Sequence, residues 1–237
     1  MSRAASARPL PRDALAAVIP TACDHLTFGA RMPLQNRVDP HGTLFRSPAR
    51  GTFMGNRGGA LHNEQREIVR SCVNRRWITC VLNFKGRHRT VMTPRRYTEL
   101  FFLDEAVAFA AGHRPCAECR RERFHAFQSA WTHPGGVVVR ADEMDAELHR
   151  ARLDSQGKKR TYDAPLRSLP NGCFILTGQA AYLVWKDALY LWTPERYASK
   201  ASRPKALNVT VLTPHPAVEC FRNGYQPVLH DSVRAFS

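Results

Sequence analysis

No run of apolar residues in this 237-residue chain approaches the roughly 18 that a membrane span requires. The apolar patch 14–19 is too short, and too soon broken by Pro20, for a secretory leader, and the Ala/Arg/Pro/Ser-rich start, residues 1–12, is expected to be disordered. Acids are scarce: Asp and Glu number 20 against 35 Lys and Arg, leaving a net charge of +15. An excess of that size self-repels and points to an acidic partner, nucleic acid above membrane. The chain has no His-Glu-x-x-His, no paired Asp motif and no Gly-x-Ser-x-Gly, so no hydrolytic chemistry is announced. The Gly-rich stretch 51–62 lacks the Gly-Lys-Ser/Thr ending of a phosphate-binding loop and reads as a turn joining strands. Seven cysteines, odd in number and scattered, do not make a disulfide framework; they suit a reducing compartment, and a cytoplasmic location is expected.

What is present is a Cys-x-x-Cys pair, Cys116 and Cys119, in a basic neighbourhood. Two thiolates so spaced can reach one metal ion, and a tetrahedral zinc then needs two more ligands. Asp104 is placed to cap a helix over 105–111, and Gly112 to end it in a left-handed conformation. A second helix over 120–131 would bury Phe124, Phe127 and Trp131. A third fits 142–156, with Met144, Leu148 and Ala151 on one face. Because a helix and a turn precede the pair, a thioredoxin-like dithiol is disfavoured against a metal site.

Before this region, Asp39-Pro40-His41-Gly42 reads as a tight turn between short strands, and 64–69 as a helical turn. Alternation over 77–84 predicts a hairpin returning through 90–93. Its loop, 85–89, is a natural phosphate contact. After it come strands over 137–140, 173–176, 180–185, 189–192 and 209–212, a basic connection at 196–205 and a last helix over 214–223. The fold class expected is α+β: a small zinc-stabilised hairpin-plus-helix module within residues 13–165, joined to a β-rich C-terminal region, 166–237, packed on it.

The segment from Phe102 to Cys119, with Glu105-Ala106 and Gly112-His113-Arg114-Pro115-Cys116-Ala117-Glu118-Cys119, resembles the C-terminal half of the Ada-type metal-binding domain. The likeness covers about 20 residues of the 237. The wider pattern, including 54–59 and 97–102, is similar to a group of bacterial proteins. The resemblance implies that Cys116 and Cys119 ligate a structural zinc in a DNA-binding protein. In the family's namesake repair protein, one zinc-bound Cys also accepts a methyl group from a phosphotriester. The family's first ligand pair is Cys-x-x-x-Cys or His-x-x-x-Cys. Here His62 suits the first role, but position 66 is Arg, which leaves Cys72 and Cys80. Cys80 is preferred because its strand face must pack near the helix before the pair.

The expected metal set is therefore Cys116, Cys119, Cys80 and His62, with Zn2+. The expected phosphate contacts are Lys85, Arg87, Arg89, Arg95, Arg96, Arg120, Arg121, Lys158, Lys159 and Arg160. The leading function is nucleic-acid binding, DNA above RNA, around a structural zinc. A zinc-dependent hydrolase with an open metal site is the alternative; His62, His88, Asp104, Glu99 and Glu118 are its candidate bases or ligands. An Ada-like methyl acceptor is a lesser one.

Overall fold

Asp104 and Gly112 bound the helix around which the chain packs. The computed structural model describes residues 32–87, 90–131 and 137–236; the expectations for residues 1–12 and for His88 and Arg89 lie outside them. Asp104 is extended, and its Oδ1 accepts the Val107 amide at 2.9 Å, starting helix α1 (Glu105–Ala110). Gly112 follows at φ +89°, which permits the left-handed stop. Every residue of α1 is buried. Phe109 enters one apolar cluster, while Ala106, Val107, Ala108 and Ala110 enter a second.

The first sheet holds β1 (Arg37–Val38), β2 (Leu44–Phe45), β3 (Phe53–Asn56), β4 (Ile78–Cys80), β5 (Leu100–Phe102) and β6 (Arg114–Pro115). Its order is β2-β1-β5-β3-β4-β6, with β1–β5 and β4–β6 parallel. The turn at 39–42 forms as expected, with Gly42 at φ +85° and its amide on Asp39 O. The start of the Gly-rich stretch is strand β3: a Cβ at Gly55 would stand 2.3 Å from Ile78 O, so the glycine lets β3 and β4 close.

The hairpin expected over 77–93 does not form. Strand β4 stops at Cys80 and takes β3 and β6 as neighbours, and turns with positive φ at Lys85 (+53°) and Met92 (+54°) stand where the rest of the hairpin was expected. Nor is 64–69 helical: Asn63 Oδ1 accepts the amides of Gln65 and Glu67, turning the chain so that His62 bridges Ile68. Residues 137–140 form no strand.

The second sheet is wholly antiparallel: β7 (Tyr162–Pro165), β8 (Phe174–Thr177), β9 (Ala180–Trp185), β10 (Ala188–Trp192), β11 (Tyr197–Ser202) and β12 (Asn208–Val211), in order β11-β10-β9-β8-β12-β7. Strand β11 replaces the expected connection at 196–205. It is an edge strand whose polar residues face solvent and only Tyr197 is buried. Both faces of this sheet are covered. Ile175, Val184 and Val211 meet α2 (Arg121–Ala130), α3 (Ala141–Arg152) and α4 (His215–Arg222) in one cluster; Phe174, Leu183 and Tyr190 meet α1 and the first sheet in the other. The architecture is α+β, as its sequence implied. Among the described residues no helix is long and apolar enough to cross a membrane.

Candidate metal centre

Two backbone hydrogen bonds bring the Cys pair to its third partner. Arg114 N donates to Trp77 O at 3.1 Å and Cys116 N to Thr79 O at 2.9 Å, so the parallel pairing of β6 with β4 seats Cys116 beside Cys80. The turn after Pro115 then returns Cys119 to the same point. The Sγ atoms of Cys80, Cys116 and Cys119 all lie within 4.8 Å of one another. Zinc–sulfur bonds of about 2.3 Å place tetrahedral sulfurs roughly 3.8 Å apart, so the three fit one ion with a small contraction.

The electrostatics favour the same reading. Cys116 is drawn towards the thiolate, because Cys119 and then Cys80 donate to it, and the Glu118 amide, 3.4 Å from its Sγ, adds to this. Cys80 and Cys119 are pushed up, chiefly by that same thiolate. Three sulfurs this close cannot all ionise unaided; a divalent cation would let them.

Among the described residues the cluster contains no fourth donor. His62, expected there, is buried elsewhere: its Nδ1 lies 2.6 Å from Thr98 Oγ1 and its Nε2 3.2 Å from Thr93 O. Cys72 acts on Arg57 and Arg152 instead. The three cysteines line a cleft of about 480 Å³ whose other walls include Phe84, Tyr97, Phe101, Glu99 and Glu118. Glu99 is buried, and its Oε2 accepts the Met92 amide at 2.8 Å. A two-residue strand, β6, directly precedes the pair where a turn was expected; what distinguishes the centre from a dithiol is Cys80.

The residues before the pair hold it in place. His113 is fully buried between the rings of Trp77 (5.1 Å) and Phe102 (4.7 Å). Arg114 makes a bidentate ion pair with Asp145 of α3 at 2.9 and 2.8 Å, both side chains buried. The pair is thus anchored to β4 on one side and to α3 on the other.

The expected phosphate contacts divide. Lys85, Arg96, Arg121 and Lys158 are exposed. Arg87 pairs with Glu118 and Arg95 with Glu64, each at 3.2 Å and each in solvent. Arg160 Nε caps Leu153 O at 2.9 Å, and Lys159 donates to Ala110 O. Arg120 is a correction: it is buried, 2.8 Å from Glu105, with its guanidinium over Phe53, and no phosphate reaches it. Sequence reasoning passed over two buried arginines, Arg57 and Arg152. Arg152 carried a signal, since it continues the Met144, Leu148 stripe at the next fourth position; Arg57, between glycines, carried none.

Set against protein-family models, curated proteins and solved structures, the chain matches none of them, so the centre is read from its own geometry.

Proposed function

We propose that this protein binds nucleic acid, DNA above RNA, and carries zinc in the Cys80, Cys116, Cys119 centre, where the metal fastens β4 to the turn before α2. The carrying observation is the convergence of three thiols within 4.8 Å from two separate elements. A thiolate-rich site selects zinc over hard cations. Charge supports the partner. Among the described residues, buried Arg57, Arg114, Arg120 and Arg152 are balanced in number by buried Glu99, Asp104, Glu105 and Asp145. Among the described residues the excess of Lys and Arg therefore lies outside the buried set, where it can meet phosphates.

A second reading is favoured by the cleft. Structural zinc sites are closed by four protein ligands, whereas catalytic ones keep a position for water. A three-thiolate ion at the head of a 480 Å³ cleft would have that position, with Glu99 on the wall to take or give a proton. The methyl-acceptor role requires four thiolates, and the described cluster offers three.

Elemental analysis and zinc-edge X-ray absorption of the full chain test the centre. One zinc per chain with three sulfur ligands is expected, lost in Cys80→Ser, Cys116→Ser and Cys119→Ser and kept in Cys72→Ser and His62→Ala. Metal-free protein, purified under reducing conditions and refusing added zinc, would sink the reading. The same absorption spectrum separates the two forms: a fourth protein ligand indicates a closed structural site, and an exchangeable oxygen ligand an open one. Fluorescence anisotropy against duplex DNA and RNA tests the partner, and an affinity flat between about 50 and 200 mM salt counts against it.

A further inference from the structure

Away from the thiols, a pocket of about 190 Å³ lies between the 41–43 turn, the C-terminal ends of α1 and α3, and the loop at 157–159. Arg57, Arg152 and Lys159 line it, with His41 and Trp77. Arg57 and Arg152 are 2% and 1% exposed, so both guanidiniums are out of water. Each lies about 4 Å from the Trp77 ring, at 4.0 and 3.9 Å.

Their partners are all neutral. Arg57 donates to Gly42 O (2.8 Å), Ser71 O (3.3 Å) and His113 Nε2 (3.4 Å). Arg152 donates to Gly112 O (2.9 Å) and Arg75 O (2.7 Å), and lies 3.1 Å from His149 Nδ1; its buried Nε has no partner. Lys159 spends one of its three donors on Ala110 O. Among the described residues none of the three makes an ion pair. The nearest carboxylates are committed: Asp145 to Arg114, and Asp39 to the Thr43 amide. Asp39 offsets the cations only in part. Burial lowers Arg57 to about 10; burial and Arg57 together lower Arg152 to about 9 and Lys159 to about 7.

Carbonyls at the C-terminus of α1 account for some of this charge, since a helix end attracts cations. Partial charges do not balance two guanidiniums removed from water beside a half-buried ammonium, and buried cations without an anion are costly. We infer that this pocket is a binding site for a phosphate group, held between Arg57, Arg152 and Lys159. The fork of a guanidinium suits two phosphate oxygens, Lys159 adds a point charge, and the volume suits one tetrahedral oxyanion with its waters. The phosphate is either the free ion or the terminal group of a nucleic acid strand; the pocket is too small for a duplex backbone to enter. This inference stands apart from the metal centre and does not depend on it.

Isothermal titration of the full, metal-replete chain with inorganic phosphate, at constant ionic strength in chloride, tests it. One saturable site is expected, weakened at least tenfold in Lys159→Met, which keeps the aliphatic stem, and unchanged in Lys205→Met, an exposed lysine outside the pocket. Competition by a 5′-phosphorylated dinucleotide, absent for its unphosphorylated form, assigns the terminal group; competition by neither assigns the free ion. The site is refuted if phosphate shows no saturable heat, or if Lys159→Met binds it as the parent does. Circular dichroism of both variants guards against reading an unfolded chain as a lost site.

Discussion

The Tyr197 hydroxyl donates to Asp104 Oδ2 at 2.7 Å, joining the edge strand of the second sheet to the cap of the central helix across 93 residues of chain. The same oxygen accepts the His230 amide at 3.0 Å, while Oδ1 holds Val107. One carboxylate thus ties together α1, β11 and the C-terminal segment. Losing it in Asp104→Ala removes a cap worth about 1 kcal/mol, strands the buried Tyr197 hydroxyl at about 1–3 kcal/mol and frees the half-buried His230 amide, so roughly 3 kcal/mol is expected. Tyr197→Phe removes a single donor and should cost about 1 kcal/mol. Urea denaturation of the pair checks the order; equal losses would mean that Asp104 stabilises only through Tyr197, its cap and its His230 contact adding nothing.

Metal removal should be a folding event. Structural zinc in small Cys/His sites contributes on the order of 10 kcal/mol, more than any single core contact. A strong chelator is therefore expected to lower the thermal midpoint, and added zinc to restore it. Cys173→Ser is the contrasting case. Its thiol is fully buried in the helix-side cluster, far up from its ordinary pKa through burial, and its loss should cost packing without altering zinc content.

Neighbouring arginines should behave oppositely. Arg120 is 2.8 Å from Glu105 with both side chains buried, and Glu105 keeps Arg123, Tyr225 and Val228 when it is lost, so Arg120→Ala should cost about 1–3 kcal/mol. Arg121 is exposed, and Arg121→Ala should change stability by less than about 0.5 kcal/mol. If the surface excess binds DNA, the Arg121 variant weakens affinity and flattens the salt slope by about one unit. Unfolding curves and anisotropy titrations on the two variants check both halves.

These contrasts mark where the sequence was readable. Helix α1 was legible because its cap and its stop are local: Asp104 and Gly112 need no distant partner. Strands β8 to β10 and β12 were legible from their apolar runs. The hairpin at 77–93 was misread because alternation announces a strand but not its neighbour, and β4 takes β6, thirty-odd residues away, rather than the returning chain. Strand β11 was missed because an edge strand with one buried residue has a loop's composition. At the site, Cys116 and Cys119 follow from spacing, and Cys80 from the argument that its strand packs near α1. His62 was attractive by type and position, yet its ring serves Thr98 and Thr93. Arg120 and Arg57 are charged residues whose burial depends on partners the local sequence does not show.

His113 gives the chain a pH dependence of known sign. Burial first, then Arg57 and Arg152, holds its pKa well below 6.5 in the folded state. The unfolded chain therefore takes up a proton first as pH falls. The stability that neutral His113 contributes is present above about pH 6.5 and is lost progressively below it. His113→Gln removes the titration while leaving an acceptor for Arg57. At saturating zinc, the thermal midpoint of the parent should fall more steeply than the variant's between about pH 7.5 and 5.5. Parallel curves would mean that His113 does not titrate differently on folding.

Gly112 shows how closely the motif before the Cys pair is fitted to α3. Its φ of +89° is strained for any residue with a Cβ, a cost of about 1 kcal/mol for Ala. The added carbon would also stand 2.5 Å from Arg152 Cδ and 3.0 Å from its Cβ. Arg152 could yield only by drawing away from the Gly112 carbonyl, 2.9 Å from its Nη1, and from the Trp77 ring. Gly178 separates the two effects: it sits at φ +61°, and a Cβ there would meet nothing within 4 Å. Gly178→Ala should cost only the conformational part, about 1 kcal/mol. Gly112→Ala should cost about 1–3 kcal/mol beyond that, the range for forcing atoms into a packed interior. Chemical denaturation of both variants reads the difference directly, and equal losses would show that Arg152 moves aside freely and is not held by its contacts with Gly112 and Trp77.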